Sequence, residues 1–398
     1  MADASILWVL NGCGLDAGTV TGGPVRFHEV SRRWQRREGV RQRLLTTSGG
    51  EEMLRRMGCT MPAARVRASL AGRRERFRAG RLWSYALSAL DAPRALRGLD
   101  APDAVLTVSD YFCDVVPAGA VRRRWPAARW IAWIHHREEP PAARPGNPLG
   151  NRVTWALQQW SFRRIARGAD EAWVLDSGAG EAVSAALLGL GMPAARIRRM
   201  WNGLDLEAIR AAPAQAPDTD AVLVGVRANK GMHDIVPVWE EVLRLRPGTR
   251  LRLMGGMSGE GPVLAEIARR GLDRFIEVSR SQGYLAPAAY YAALKRARVF
   301  FAPSHEEGWG IALGEAMACG LPVAAYDLPA YRRVFGDSHA AVPCFDRAAL
   351  ARALVRLLDD PAEHAARAAA GQACVARYGW DAIAEGDWQA ATVRQPAS

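Results

Sequence analysis

Two glutamates, Glu307 and Glu315, stand eight positions apart in the stretch SHEEGWGIALGEAMACGLPV of a 398-residue chain. Gly308 and Gly310 lie between them. Glycines let a backbone approach a ligand closely, and the Ala-rich run that follows reads as the first turns of a helix. The N–H groups of Gly310, Ile311 and Ala312 would then lack intrahelical partners. Together with the helix dipole they suit an anion, of which phosphate is the obvious example. A carboxylate at 315, near the open helix end, can accept hydrogen bonds from a diol such as ribose. Glu307, at the end of the preceding strand, can do the same for a sugar ring. The spacing fits a ligand with phosphate in its middle and hydroxyls at both ends. A helix merely capped by acids, with glycine only for the turn, would show the same pattern.

A second cluster, GVRANKG (225–231), follows another strand-like run. Arg227 and Lys230 could both reach a diphosphate from that loop. Fixed cations there would stabilise negative charge on a bound phosphate. The chain holds 51 arginines and only two lysines, at 230 and 295, so a lysine at 230 is informative. Further candidates stand earlier in the chain. His135 and His136 close the strand-like WIAWI and could orient a sugar. Asp110 ends the run AVLTVSD. Gly22-Gly23-Pro24 reads as a flexible loop entering a helix with proline at its first position. LNGCGL (10–15) contains a lone GxG after the first strand-like run, a weak signal.

These residues need elements to position them. Apolar runs recur at 6–10, 43–47, 104–108, 129–134 and 171–175, then at 221–226, 250–255, 275–279, 299–304 and 322–326. Uninterrupted apolar runs are what strands buried on both faces of a parallel sheet require. Helix-like stretches such as DIVPVWEEVLRLRP lie between them, a βαβ rhythm in two halves. AAPAQAPDTD (211–220) has the composition of a linker between the halves. The tail GWDAIAEGDWQAAT reads as a last amphipathic helix.

Composition narrows the classes. No run of about 18 apolar residues could span a membrane, and the N-terminus lacks the basic region of a signal peptide. The six cysteines form no CxxC pair, as expected of reduced thiols in a cytoplasmic protein. Residues 1–205 carry 31 arginines against 19 acids, whereas the rest carries 22 basic groups against 22 acids. The whole formal excess of +12 thus lies in the first half. A one-sided basic half fits an anionic membrane, an acidic acceptor or nucleic acid, and equally a solvated arginine-rich face. The arginines of 65–81 have only Phe77 among them, too few aromatics for base stacking, so no nucleic-acid partner is expected.

The stretch EGWGIALGEAMACGLPV resembles the E-x7-E signature of the GT-B retaining glycosyltransferases, particularly the large family 4 type, with Trp309 where phenylalanine is usual. MWNGLDLEAI (200–209) resembles that family's NGVD segment, AVLVGVRANKGMHDIVPVWEEV its GR…KG segment, and Gly22-Gly23 its N-domain glycine loop. Val226 intervenes where the family places arginine directly after glycine. Where members often carry a histidine after the strand preceding His135, this chain has Ser109 and Asp110. Either Asp110 takes that polar role or a histidine from the next strand does.

The resemblance implies an α/β fold of two Rossmann-like domains facing a central cleft (GT-B). They would comprise an acceptor domain over 1–205 and a nucleotide-sugar domain over 206–375, with a helix over 376–398 that could return to the first. It implies transfer of a sugar, with retention, from a UDP- or GDP-type nucleotide sugar to an acceptor hydroxyl. Glu307, Lys230 and Arg227 would be catalytic. Gly23, Gly308, Trp309, Gly310, Ile311 and Glu315 would bind the donor. His135, His136 and Asp110 would lie on the acceptor side. No bound cofactor and no metal are expected; DTD (218–220) sits in the linker-like stretch. The acceptor would be a glycan, a lipid-linked sugar or a small molecule, in envelope polysaccharide or glycolipid assembly at the inner membrane face or free in the cytoplasm. Rival readings are a GT-B-shaped sugar-nucleotide epimerase, a phosphorylase needing Lys295 for its cofactor, and a non-enzymatic basic binding protein.

Overall fold

Strands whose two faces are both apolar must be covered by helices on both sides, and the chain alternates accordingly. The computed structural model describes residues 4–12, 22–67, 78–143, 148–257, 260–279 and 286–392. It divides into two compact units, Met1–Trp201 with Asp381–Ser398, and Asn202–Trp380.

In the first unit β1 (Ala4–Leu10), α1 (Gly22–Trp34), β2 (Val40–Thr47), α2 (Ser48–Arg56), β3 (Ala63–Val66) and α3 (Arg78–Ala95) lead to β4 (Ala104–Thr107). Then come α4 (Phe112–Arg124), β5 (Arg129–Ile134), α5 (Pro148–Gly168), β6 (Glu171–Leu175), α6 (Gly178–Gly189) and β7 (Ile197–Met200). Among the described residues the strands form a seven-stranded sheet in the order β3-β2-β1-β4-β5-β6-β7. Its neighbours pair in parallel throughout.

The second unit runs α7 (Leu206–Ala211), β8 (Thr219–Val226), α8 (Ile235–Leu245), β9 (Leu251–Met257), α9 (Gly261–Arg269), β10 (Ile276–Val278) and α10 (Pro287–Lys295). It continues with β11 (Ala297–Ala302), α11 (Ile311–Ala318), β12 (Val323–Tyr326), α12 (Pro329–Phe335), β13 (Ala340–Val342), α13 (Arg347–Asp359) and α14 (Pro361–Val375). These strands form a parallel sheet, ordered β10-β9-β8-β11-β12-β13. α15 (Trp380–Thr392) begins at the end of the second unit, and from Asp381 onward belongs to the first.

Both units are Rossmann-like, and the fold is of the GT-B class. The segment expected as a linker, 211–220, lies within the second unit, and its last residues, Thr219 and Asp220, already belong to β8.

Tryptophan dominates the first core. Trp8 packs its ring against Phe27 and Trp34 of α1 and Trp133 of β5, with centroids 5.2–5.3 Å apart. The fully buried Arg26 lays its guanidinium 4.2 Å from the Trp133 ring centroid and pairs with Asp387 of α15 at 2.6 Å. Trp34 donates its Nε1–H to the Ala384 carbonyl at 2.9 Å. α15 therefore packs on α1, which fixes the helix that carries Gly22 and Gly23.

Candidate functional site

The turn between β11 and α11 is built around one glycine. Gly310 caps the helix with φ +97°, and a Cβ there would lie 2.6 Å from the Tyr331 ring. Both the backbone conformation and the space therefore require glycine. Trp309 is 2% exposed, its ring packed edge-on against Phe335 and Tyr378. Trp309 is one of the residues expected to bind the donor. Its indole belongs to the core, because the chain must turn inward there to start α11, and only its backbone is left for a ligand.

A second glycine brings the other loop in. Gly231 has φ +70°, and a Cβ on it would sit 1.8 Å from the Pro303 carbonyl oxygen. Its absence lets the 227–231 loop lie directly on the end of β11. The loops are then tied together, since His305 and Glu306 donate backbone N–H groups to the Asn229 carbonyl at 2.9 and 3.2 Å. That contact delivers Lys230 to Glu307, which pair through Nζ and Oε1. Their side chains are 14% and 9% exposed, so the pair is shielded yet reachable. Ser304 Oγ and Tyr331 OH also donate to Glu307 Oε1, at 3.2 and 3.3 Å. Arg227 Nε is buried and finds no hydrogen-bond partner among the described residues.

Glu315 lies on α11, half-buried. It accepts hydrogen bonds from Tyr290 OH at 2.9 Å and Tyr291 OH at 3.3 Å, both on α10. Burial pushes its carboxyl up to about 7, against the opposing pull of the two tyrosines and Lys230. Each carboxylate oxygen has two acceptor sites, so these bonds leave capacity for a diol. Beneath the loop lies Asp234, fully buried, which accepts from His305 Nε2 at 2.8 Å, Tyr326 OH at 2.9 Å and Arg347 Nε at 2.7 Å. Burial works to raise its carboxyl, but those three donors outweigh it and hold it below its ordinary value. Asp234 thus anchors the start of the Glu307 loop to β12 and α13.

The first unit groups its candidates differently. A Cβ on Gly23 would come 3.3 Å from His135 Nε2. That nitrogen lies 2.8 Å from the Val108 carbonyl oxygen, an arrangement that assigns the imidazole proton to Nε2. Burial drives His135 down to about 4, although the Val108 bond opposes it, so the ring is neutral near pH 7. Asp110 is 3% exposed and accepts from Gln158 Nε2 at 2.9 Å. Gln158 also donates to the His136 carbonyl at 3.1 Å and accepts from the Glu138 N–H at 2.8 Å. One α5 amide therefore ties Asp110 to the 136–138 loop. Burial, opposed by the charge of His136, raises the Asp110 carboxyl.

Asp114, on α4, accepts from Asn11 N–H at 2.6 Å and Ser109 Oγ at 2.5 Å, and burial pushes it up to about 7. Asn11 and Gly12 of the GxG run are described; its residues 13–15 lie outside the described residues, as do 68–77 of the arginine-rich stretch.

Sequence reasoning missed Tyr290, Tyr291, Tyr331, Ser304, Asp234 and Gln158. Only the consecutive tyrosines of PAAYYAALK gave a hint, as polar-tipped rings on an otherwise apolar helix. The DTD carboxylates meet arginines: Asp218 pairs with Arg252 at 2.8 Å and Asp220 with Arg246 at 3.2 Å. Lys295 Nζ donates to the carbonyls of Ile209 and Ala212, each at 2.6 Å, so it caps α7.

Residues 219–360 match the family described as Glycosyl transferases group 1. The chain is 33% identical over 192 residues to the phosphatidyl-myo-inositol mannosyltransferase of Mycobacterium leprae, covering 46% of this chain and 50% of that protein. It is 31% identical over 191 residues to the GDP-mannose:cellobiosyl-diphosphopolyprenol alpha-mannosyltransferase of Xanthomonas campestris, covering 46% and 50%. The chain spans about half the length of these curated relatives. Among solved structures it is similar to Anabaena HepE in complex with UDP and glucose, with TM-score 0.70 and 16% identity over 98% of this chain and all of that one. At that identity the likeness is one of fold.

Proposed function

We propose that this chain is a retaining glycosyltransferase that moves a hexose from a UDP- or GDP-type nucleotide sugar to an acceptor hydroxyl. The observation that carries the reading is the shielded Lys230–Glu307 pair beside the opening of α11, with Glu315 further along the same helix. On this reading the N–H groups at the start of α11 take the diphosphate. Arg227 and Lys230 face the charge that grows on it as the glycosidic bond breaks. The Lys230 ammonium has three donors and can hold Glu307 and a phosphate oxygen together. Among the described residues the three side-chain hydrogen bonds to Glu307 fall on Oε1, which leaves Oε2 for sugar hydroxyls and for the developing positive charge of the ring. Glu315, once ionised, accepts the ribose hydroxyls.

The acceptor hydroxyl attacks on the face from which the diphosphate leaves, so no protein nucleophile is needed. His135, neutral near pH 7 with its Nε2–H donated to the Val108 carbonyl, supplies an acceptor at Nδ1 rather than a charge on the acceptor side. The acceptor we favour is lipid-linked or an anionic glycan, in keeping with the excess of +12 in residues 1–205. The mannosyltransferases of Mycobacterium leprae and Xanthomonas campestris, to which this chain is similar, each carry a lipid in their names, phosphatidyl-myo-inositol and a diphosphopolyprenol. Among the described residues no helix is long and apolar enough to cross a membrane.

A thermal-shift screen of UDP- and GDP-sugars, followed by mass spectrometry of donor consumed, tests this. One nucleotide sugar should raise the melting temperature in a Glu315-dependent way and turn over in a Lys230-dependent way. If no nucleotide sugar stabilises the protein, the reading fails.

A further inference from the structure

The surface of the first unit is lopsided in its apolar groups. Among its described residues, every exposed large apolar side chain lies on α3, α5, the entry to α4 or the end of α6. In the fold these are neighbours, with α3 packed on α4, α4 on α5, and α5 on α6. Scattered exposed apolar residues are ordinary, but this concentration in one helical layer is not.

α5 shows the arrangement best. Its inward side buries Phe162 and Ile165 completely. Positions 149, 153, 156 and 160, spaced by four, three and four, share the opposite side. There Leu149 is 69%, Val153 36% and Trp160 38% exposed. Arg152, Arg163, Arg164 and Arg167 are exposed on or beside the same strip, and the 21-residue helix contains no acidic residue. The Arg164 guanidinium lies 5.5 Å from the Trp160 ring centroid. α3 repeats the theme with Trp83 and Leu90, seven positions apart and 57% and 77% exposed.

We propose that the outward face of α5 docks on an anionic lipid bilayer. Shallow apolar side chains enter the headgroup boundary, tryptophan prefers that boundary, and arginine stems lie along it while their heads pair with lipid phosphates. The charge fits this occupant: four cations without an acid on the helix meet a negative leaflet. An acidic protein would satisfy the arginines but leave no reason for a strip of apolar groups without a pocket. The inference rests on the lipid-linked acceptor reading for its purpose, since docking would hold the chain where such acceptors are, but not for its test.

The test is sedimentation of the full chain with vesicles of equal phosphatidylglycerol and phosphatidylcholine, or of phosphatidylcholine alone, at low and high salt. Binding should need the anionic lipid and weaken with salt. The triple variant R163Q/R164Q/R167Q and the separate triple variant L149S/V153S/W160S should each lower partitioning about tenfold or more. Their melting temperatures and nucleotide-sugar binding should stay at the parent value. A parent chain that ignores anionic vesicles, or variants that bind them as well as the parent, would overturn the proposal. So would light scattering showing that L149S/V153S/W160S turns a dimer into a monomer, since the face would then join two copies. A chain that binds vesicles through α5 yet ignores every nucleotide sugar would sink the transferase reading and leave this one standing.

Discussion

The two units assemble their polar clusters in opposite ways. In the second, Lys230 and Glu307 meet as opposite charges near the surface, and Glu315 titrates near neutrality. In the first, His135 is held neutral by burial, and Asp110 is closed into a network with Gln158 and the 136–138 loop. A charged pair suits a ligand that gains and loses charge during reaction. A neutral, internally bonded cluster suits positioning. On the proposed reading, the contrast teaches that the two units, although alike in fold, serve different parts of one transfer, with charge handling concentrated in the second.

The sharpest way to break that contrast is to remove the pair. On the proposed reading Lys230→Ala or Glu307→Ala should each lower turnover about a hundredfold to a thousandfold, measured as sugar transferred under saturating donor. His135→Asn should cost markedly less. Equal losses in all three would abolish the distinction. Next in size is Gly231→Ala. A Cβ 1.8 Å from a carbonyl oxygen at φ +70° should cost at least about 1–2 kcal/mol, read by urea unfolding, and should weaken donor binding because Lys230 moves with the loop.

Protonation sharpens the comparison further. The Glu315 carboxyl, pushed up to about 7, must be ionised to accept both ribose hydroxyls. Nucleotide affinity should therefore rise with pH up to about that value, by up to about tenfold per unit, and then level off. Calorimetric titration should find the slope gone in Glu315→Gln. In the first unit Asp114 is pushed from 3.8 to about 7, so its folded form binds a proton that the unfolded chain releases. Its contribution to stability is present in acid and is lost as pH rises from about 4 to about 7. Asp114→Asn should flatten that part of the stability profile in urea titrations. The smallest effect belongs to Gly23→Ala, whose Cβ would press His135 at 3.3 Å. Transfer should drop only a few-fold, with stability almost unchanged.

Much of the fold was legible because strands covered on both faces must be apolar throughout. Core strands such as RWIAWI and EAWVL therefore announce themselves. β3, β7 and β13 were missed, and all three are edge strands. AARV and IRRM carry arginines and are only partly covered, so they lack the continuous apolar run that marks the others. The linker expectation failed for a related reason. Prolines and small residues mark an irregular path, but not which unit the path belongs to.

The spacing of Glu307, Gly310 and Glu315 along one strand–turn–helix was determined by the sequence alone, because residues that close in the chain keep their geometry wherever the element is placed. The need for glycine at 231 was not visible there, since it comes from Pro303, more than seventy residues away. The tertiary structure alone decided that Trp309 is core, that Tyr290 and Tyr291 hold Glu315, and that Gln158 engages Asp110. Each depends on contacts between elements distant in the chain, and local pattern carries no record of which distant side chain fills a given space or answers a given buried charge.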